Sequence, residues 1–358
     1  MENQEDSPPL DPTLAPALLF EPGHGGADEA GEEETTDDDG GTRFLYSIPK
    51  RRLLVVAGFD YLNSDAATWI TPQGWVLVLD PSTRDACLRD PFTSRTVRLP
   101  SDHQESLLPS SNEHTRCLLS KHRPTAAAAD DPGCIVLLVH LEEPVLWYFS
   151  PGGSRWLRHE YSPELISSDD HSHIMWAMSS LTAARGKFYA LVFGDNKIMA
   201  LEFSPGPIFS TTHLVRTPFL SRFLQVRLVE SCGDLFFFQR VSLEPFCAQS
   251  ITEINVYKLV LSSNDNAWVK VKVSTLGDNR VFFCGSGGGS YGYEFGASMA
   301  ADEVGLKPNC IYFTHGVGNK NDKGLYVHDL ERGTTTLHNP GTNVPDSAKP
   351  LLLMHAIL

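Results

Sequence analysis

Lys187-Phe-Tyr-Ala-Leu-Val-Phe-Gly-Asp-Asn-Lys-Ile-Met-Ala-Leu-Glu-Phe-Ser-Pro-Gly206 is two runs of strand composition, 187–193 and 197–203, joined by Gly194-Asp195-Asn196 and stopped by Ser204-Pro205-Gly206. Gly, Asp and Asn tolerate the positive φ of a tight hairpin turn, and Pro ends the ladder that follows. The same unit recurs as Val76-Leu-Val-Leu-Asp-Pro81, Leu146-Trp-Tyr-Phe-Ser-Pro-Gly-Gly153, Val256-Tyr-Lys-Leu-Val-Leu-Ser-Ser263 and Tyr326-Val-His-Asp-Leu-Glu-Arg-Gly333. Other runs of strand composition are Arg52 to Phe59, Ile135 to His140, Asp234 to Arg240, Trp268 to Val273, Val281 to Cys284 and Cys310 to Thr314. Each has the length of a strand and is rich in Val, Ile, Phe, Tyr and Trp. Helical periodicity is nearly absent, and the best helix candidates, Pro163 to Ser167 and Gly296 to Val304, are short.

The recurrences are spaced by roughly 50 to 70 residues, which suits four-stranded blades carrying insertions. The expected fold is all-β, a kelch-like β-propeller with about six or seven blades between residues 43 and 341. A stack of β-sandwiches is the alternative. Residues 43–358 are read as the propeller domain with a C-terminal tail, and residues 1–42 as a mostly disordered acidic segment. Within that segment Leu14 to Phe20 is apolar enough for one docked strand, followed by the acidic stretch as a long loop.

Of the 44 acidic residues, 13 fall in Met1 to Thr42, which has no Lys or Arg, leaving 31 acidic against 29 basic in the rest. The folded part is nearly neutral and offers no basic stripe for a phosphate backbone, which argues against nucleic acid as a partner. Seven scattered cysteines, an odd number with no CxxC pair, suit buried thiols in a reducing compartment. The sequence shows no secretory or organellar leader pattern and no apolar run of membrane-spanning length. The expected location is cytoplasmic or nuclear, with no membrane partner.

Three stretches resemble the plant F-box-associated domain-of-unknown-function family, whose better-known members are the "kink suppressed" F-box proteins. The first is Gly74-Trp-Val-Leu-Val-Leu-Asp80 with Leu88-Arg-Asp-Pro-Phe-Thr93 and Val97-Arg-Leu-Pro100, in which Asp90 replaces the family's commoner Asn. The second is Arg227-Leu-Val-Glu-Ser-Cys-Gly-Asp-Leu235. The third is the ordered series Leu276-Gly-Asp278, Val281-Phe-Phe-Cys-Gly285, Asn309-Cys-Ile-Tyr-Phe-Thr314 and Tyr326-Val-His-Asp-Leu330. The resemblance implies a kelch-like propeller that in many members follows an F-box and selects substrates for a ubiquitin ligase. Residues 1–42 carry Pro-rich and acidic sequence without an amphipathic stripe. Binding to a Skp-type adaptor is therefore not expected.

Motifs that carry chemistry weigh little here. Gly288-Gly-Ser290-Tyr-Gly292 matches a nucleophile elbow, with His315 and His328 as the nearby bases, but an elbow needs an α/β sheet and none is read. The Gly285 to Ser290 run has no following Lys-Ser or Lys-Thr to make a phosphate loop, and a plain flexible loop is expected there. In Asp169-Asp-His171-Ser-His173 the two histidines would share one face of a strand, yet no third His or Cys ligand lies close. Most of the tryptophans, at 69, 75, 147, 156, 176 and 268, are expected between blades, with Trp176 a candidate anchor for a partner.

The reading that results is a non-enzymatic protein-interaction module that holds an unidentified protein through propeller loops such as Ser168 to Trp176 and Gly285 to Glu294. No catalytic, cofactor-binding or metal residue is assigned. The alternative is a hydrolase using Ser290, or a metal-dependent enzyme at His171 and His173.

Overall fold

The computed structural model describes residues 10–20, 43–56, 59–62, 66–93, 95–102, 108–109, 111, 114–122, 133–141, 143–162, 178–192, 196–215, 223–243, 251–263, 266–288, 294–314, 323–341, 344 and 350–356. The acidic stretch 21–42 and the helix candidate Pro163 to Ser167 lie outside them.

Strands Ala17–Phe20 (β1), Arg43–Ser47 (β2) and Arg52–Val56 (β3) belong to the first blade. The second is Ala67–Ile70 (β4), Val76–Leu79 (β5), Ala86–Arg89 (β6) and Thr96–Arg98 (β7). Thr115–Leu119 (β8), Val136–His140 (β9), Val145–Phe149 (β10) and Leu157–Glu160 (β11) make the third. Met178–Ala184 (β12), Lys187–Val192 (β13), Lys197–Phe203 (β14) and Pro207–His213 (β15) make the fourth. Phe223–Ser231 (β16), Asp234–Ser242 (β17), Ile251–Leu261 (β18) and Trp268–Lys272 (β19) make the fifth. Each of these four sheets is an antiparallel meander.

The sixth blade departs from the meander. Its strands are Arg280–Ser286 (β20), Glu294–Ala300 (β21), Cys310–Thr314 (β22), Leu325–Asp329 (β23) and Thr334–His338 (β24). β20 lies between β21, its antiparallel partner, and β22, its parallel partner. Pro350–Leu353 (β25) then pairs antiparallel with β1, so the two ends of the chain close the first blade together. A single bridge from Ser286 to Leu351 joins the sixth and first blades into one nine-stranded sheet. The described strands thus form six blades of an all-β propeller.

Burial follows from blade stacking. β9 and β10 are apolar runs buried on both faces, because each blade is covered by a neighbour on either side. The outermost strands β11 and β24 are half-buried or exposed. Between the second and third blades pack Trp69, Trp75, Leu77, Leu138 and Trp156. Between the fifth and sixth pack Val229, Phe238, Phe282 and Phe313.

Cross-blade bonds mark one end of the propeller. Trp75 Nε1 donates to His122 O at 3.1 Å, His122 Nε2 lies 3.4 Å from Glu230 Oε2, and Arg185 Nη2 lies 3.3 Å from Asp234 Oδ1. These residues sit in or beside the connections that follow β4, β8, β12 and β16, so those connections of four successive blades meet at this end, the turn end. Because β4, β8, β12 and β16 run away from the opposite end, the connections between blades attach there.

The helix expected over Gly296 to Val304 is not present; residues 294–300 are the strand β21 and turns follow. Ala, Ser and Met in this segment suit a helix locally, but the seven-residue ladder to β20 and close packing on β16 override that propensity. At Gly296 an added Cβ would stand 2.6 Å from Val229 Cγ2 and 2.8 Å from Leu228 O, so no side chain fits between β21 and β16.

Candidate functional site

Side chains alternate across β16 and β17. Leu228, Leu235 and Phe237 face the fourth blade, while Val229, Phe236 and Phe238 face the sixth. On that second face the apolar series gives way to Gln225, Arg227 and Arg240 away from the turn end, where Gln225 pairs with Arg240 across the ladder. β21 runs beside β16 and carries Glu294 to the same place, while its Ser298 Oγ meets Ser231 Oγ at 2.9 Å near the turn end.

Glu294 Oε2 accepts from Arg240 Nη2 at 2.7 Å and from Arg227 Nη2 at 2.9 Å. The carboxylate and the Arg240 guanidinium are buried, and Arg227 keeps 13% of its side chain exposed. Arg240 Nη1 also donates to Thr314 O at 3.1 Å, and its guanidinium lies 5.0 Å over the Phe313 ring. Burial lowers the Arg240 pKa from its ordinary value, and the Glu294 carboxylate opposes that shift. Arg227 Nε, Arg240 Nε, Gln225 Oε1 and Thr314 Oγ1 have no hydrogen-bond partner among the described residues. Burial pushes the neighbouring Cys284 thiol up to about 12, so it is no nucleophile at neutral pH.

The sequence reading passed over these three charged residues. Their signal was present in Arg227-Leu-Val-Glu-Ser and Asp234-Leu-Phe-Phe-Phe-Gln-Arg240, where a cation falls on the strand face that otherwise carries core residues.

Ser290, His171, His173, His315 and Trp176 lie outside the described residues. His328 is in β23, 6% exposed, with Nδ1 2.9 Å from Thr335 Oγ1, and burial lowers its pKa, which keeps it neutral at pH 7. Of the flexible loop expected over Gly285 to Ser290, Gly285 and Ser286 instead belong to β20, and residues 289–290 lie outside the described residues. An added Cβ at Gly285 would stand 2.8 Å from Leu352 Cβ, so this glycine serves close packing of β25 on the sixth blade. Trp69, Trp75, Trp147 and Trp156 are buried between blades and Trp268 is partly buried. Cys87, Cys117, Cys134, Cys232, Cys284 and Cys310 are free thiols. No group of three or more metal-ligating side chains occurs among the described residues. No helix among them is long and apolar enough to cross a membrane.

A family model for the KIB1-4 beta-propeller matches residues 45–329. The chain belongs to this family. KIB1 denotes the kink suppressed F-box proteins, so the match names the group that the three sequence stretches resemble. No curated protein matches the chain in sequence. Among solved structures it is similar to a fungal alcohol oxidase of the AA5 family in complex with copper, at 12% identity and TM-score 0.42, covering 94% of this chain and 66% of that one. The chain thus spans just under two thirds of the oxidase. It is also similar to a protein of unknown function from Bacteroides caccae, at 12% identity and TM-score 0.36, covering 94% of this chain and 99% of that one. Nothing about the chemistry of this KIB1-4 propeller follows from likenesses so distant.

The Leu88 to Thr93 motif acquires a physical role in this KIB1-4 chain. Asp90 is 1% exposed, accepts from Phe92 N at 3.0 Å and from Thr93 Oγ1 at 2.6 Å, and has His355 Nδ1 3.5 Å away. Burial alone would raise the Asp90 pKa, but His355, Thr93 and Phe92 outweigh it and hold the carboxyl below its ordinary value. A depressed carboxyl contributes stability that is fully present above about pH 4, the unfolded value, and is lost as pH falls through the lower folded value. Asp90→Asn keeps an oxygen for the turn and removes the titration. It is expected to lose less stability than the wild type between pH 5 and pH 2 in urea unfolding. Equal losses would show that Asp90 does not contribute to the acid sensitivity. Asp90→Ala, which strands two buried donors, should cost about 2 kcal/mol at pH 7.

Proposed function

We propose that this chain is a non-enzymatic protein-interaction module, related to the substrate-recognition propellers of plant F-box proteins, which holds its partner through the loops opposite the turn end and works in the cytoplasm or nucleus. The observation that carries the reading is the KIB1-4 propeller match over residues 45–329. Its geometry adds support: one end is tied by bonds across blades, and the other carries the connections from blade to blade, where a rigid scaffold leaves loops free to recognise. The buried thiols suit a reducing compartment.

Capture from native tissue followed by cross-linking and mass spectrometry tests this. Cross-links should fall on connections opposite the turn end, among them the chain around Ser168 to Trp176. Cross-links confined to the turn end would overturn that assignment. With purified Skp-type adaptor the full chain should show no stoichiometric binding, because residues 17–20 form a strand and the rest of residues 1–42 carries no amphipathic stripe. Labelling of Ser290 by a fluorophosphonate probe would revive the hydrolase reading instead.

A further inference from the structure

We propose that Arg227 and Arg240 form a receptor for one carboxylate, supplied by an Asp or Glu side chain of the protein partner. The proposal rests on the interaction-module reading and narrows the chemistry of the partner. Two guanidiniums meet one carboxylate here, and among the described residues Glu294 is the only anion paired with either. Among the described residues that leaves one positive charge in excess at a buried place, a condition that costs free energy unless a counter-charge or polar ligand arrives. Water satisfies hydrogen bonds but does not neutralise charge.

The unused valences fit the ligand. Both Nε–H groups are unpartnered donors, and a carboxylate accepts from guanidinium donors in a planar fork. Thr314 Oγ1, also unpartnered, is a further hydroxyl donor beside Arg240. Access is from Arg227, the less buried of the two cations, with half-buried Gln225 beside it. Gln225 and Arg240 lie towards the ends of β16 and β17 away from the turn end, on the side where blade connections attach. An inserted acidic side chain would meet Arg227 first and place its charge against the pair.

The readout is the Nε–H resonances of Arg227 and Arg240 in the isolated full-length protein, titrated at constant ionic strength with two probes, sodium acetate and capped aspartate (N-acetyl-aspartyl amide). Both probes should shift both resonances in a saturable way. Arg227→Gln should weaken binding by about tenfold or more, and Glu294→Gln should tighten it by about tenfold, since removing a neighbouring like charge favours an anion. The opposite signs separate a receptor from a purely structural ion-pair cluster, in which both variants would only lower the melting temperature and acetate would restore neither. If Glu294→Gln folds poorly, the proposal still requires acetate to raise its melting temperature relative to chloride. A response to acetate without one to capped aspartate would overturn the protein-borne source in favour of a free acid. No response to either would overturn the site. Failure to capture any partner would bear on the interaction reading and leave these titrations standing.

Discussion

Deleting residues 1–20 is expected to leave the protein unfolded, whereas replacing residues 22–42 with an Asn-Gly loop should leave its melting temperature within a few degrees. β1 is the inner strand of a sandwich of ladders: Ala17 lies opposite Leu353 on one side and Ser47 on the other. Leu18, Leu19 and Phe20 have 0% exposure. Burying three such side chains contributes about 1.5–3 kcal/mol each, or roughly 5–9 kcal/mol together. That is comparable with the whole stability of an ordinary domain, about 5–15 kcal/mol. Deletion also strands the ladder groups of β2 and β25, and opens the seam at which the chain ends meet. The loop replacement removes none of this, because Phe20 pairs with Phe44 and the chain therefore leaves and returns at neighbouring strand ends. Shortening the loop lowers its closure entropy by on the order of 1–2 kcal/mol in favour of the fold. Thermal unfolding followed by near-ultraviolet circular dichroism checks both variants. A cooperative transition in the chain lacking residues 1–20 would show β1 to be dispensable. For the adaptor question, the variant to use is the loop replacement, since removing all of residues 1–42 removes a core strand as well.

The meander and the cross-blade tryptophans were legible because their signals are local. A strand such as β14 is written in seven consecutive residues, and the Ser204-Pro205-Gly206 stop is adjacent to it. The strands nearest the axis were harder to read. β8 is Thr115-Arg-Cys-Leu-Leu119 and β12 is Met178-Ser-Ser-Leu-Thr-Ala-Ala184. Where six strands converge there is room for small and polar side chains, and the β-branched and aromatic enrichment that marks middle strands such as β10, β13 and β17 fades. β21 was misread as helix for the same reason. The Arg227, Glu294 and Arg240 cluster joins residues 67 and 54 positions apart, and local pattern does not encode such a distance. What the sequence did carry was a charge at a core-facing position, an inconsistency between local pattern and burial of the sort that marks a site with a task.

Gly74→Val is the substitution expected to do most damage for its size. Gly74 opens the Gly74-Trp-Val-Leu-Val-Leu-Asp80 stretch, in the turn between β4 and β5, and its φ is +88°. A β-branched residue is strained in that region, at a cost of roughly 1–3 kcal/mol. Space is the larger obstacle. An added Cβ would stand 2.4 Å from the carbonyl carbon of His355 and 2.5 Å from the amide nitrogen of Ala356, and backbone atoms have no rotamer by which to withdraw. The tail after β25 would have to lift off the second blade. That movement exposes Ala356, which packs with Trp69 and Trp75, and takes His355 away from Asp90. Strain and lost packing together should lower stability by about 3 kcal/mol or more, in the range seen for overpacked cores and strained backbone. Gly74→Ala should show the same clash with less side-chain strain and so a smaller loss. Truncation after Leu353 separates the causes: with the tail absent, Gly74→Val should cost only its backbone strain. Urea unfolding of the four proteins gives the coupling. An equal cost of Gly74→Val with and without residues 354–358 would mean that the tail does not seat against this turn.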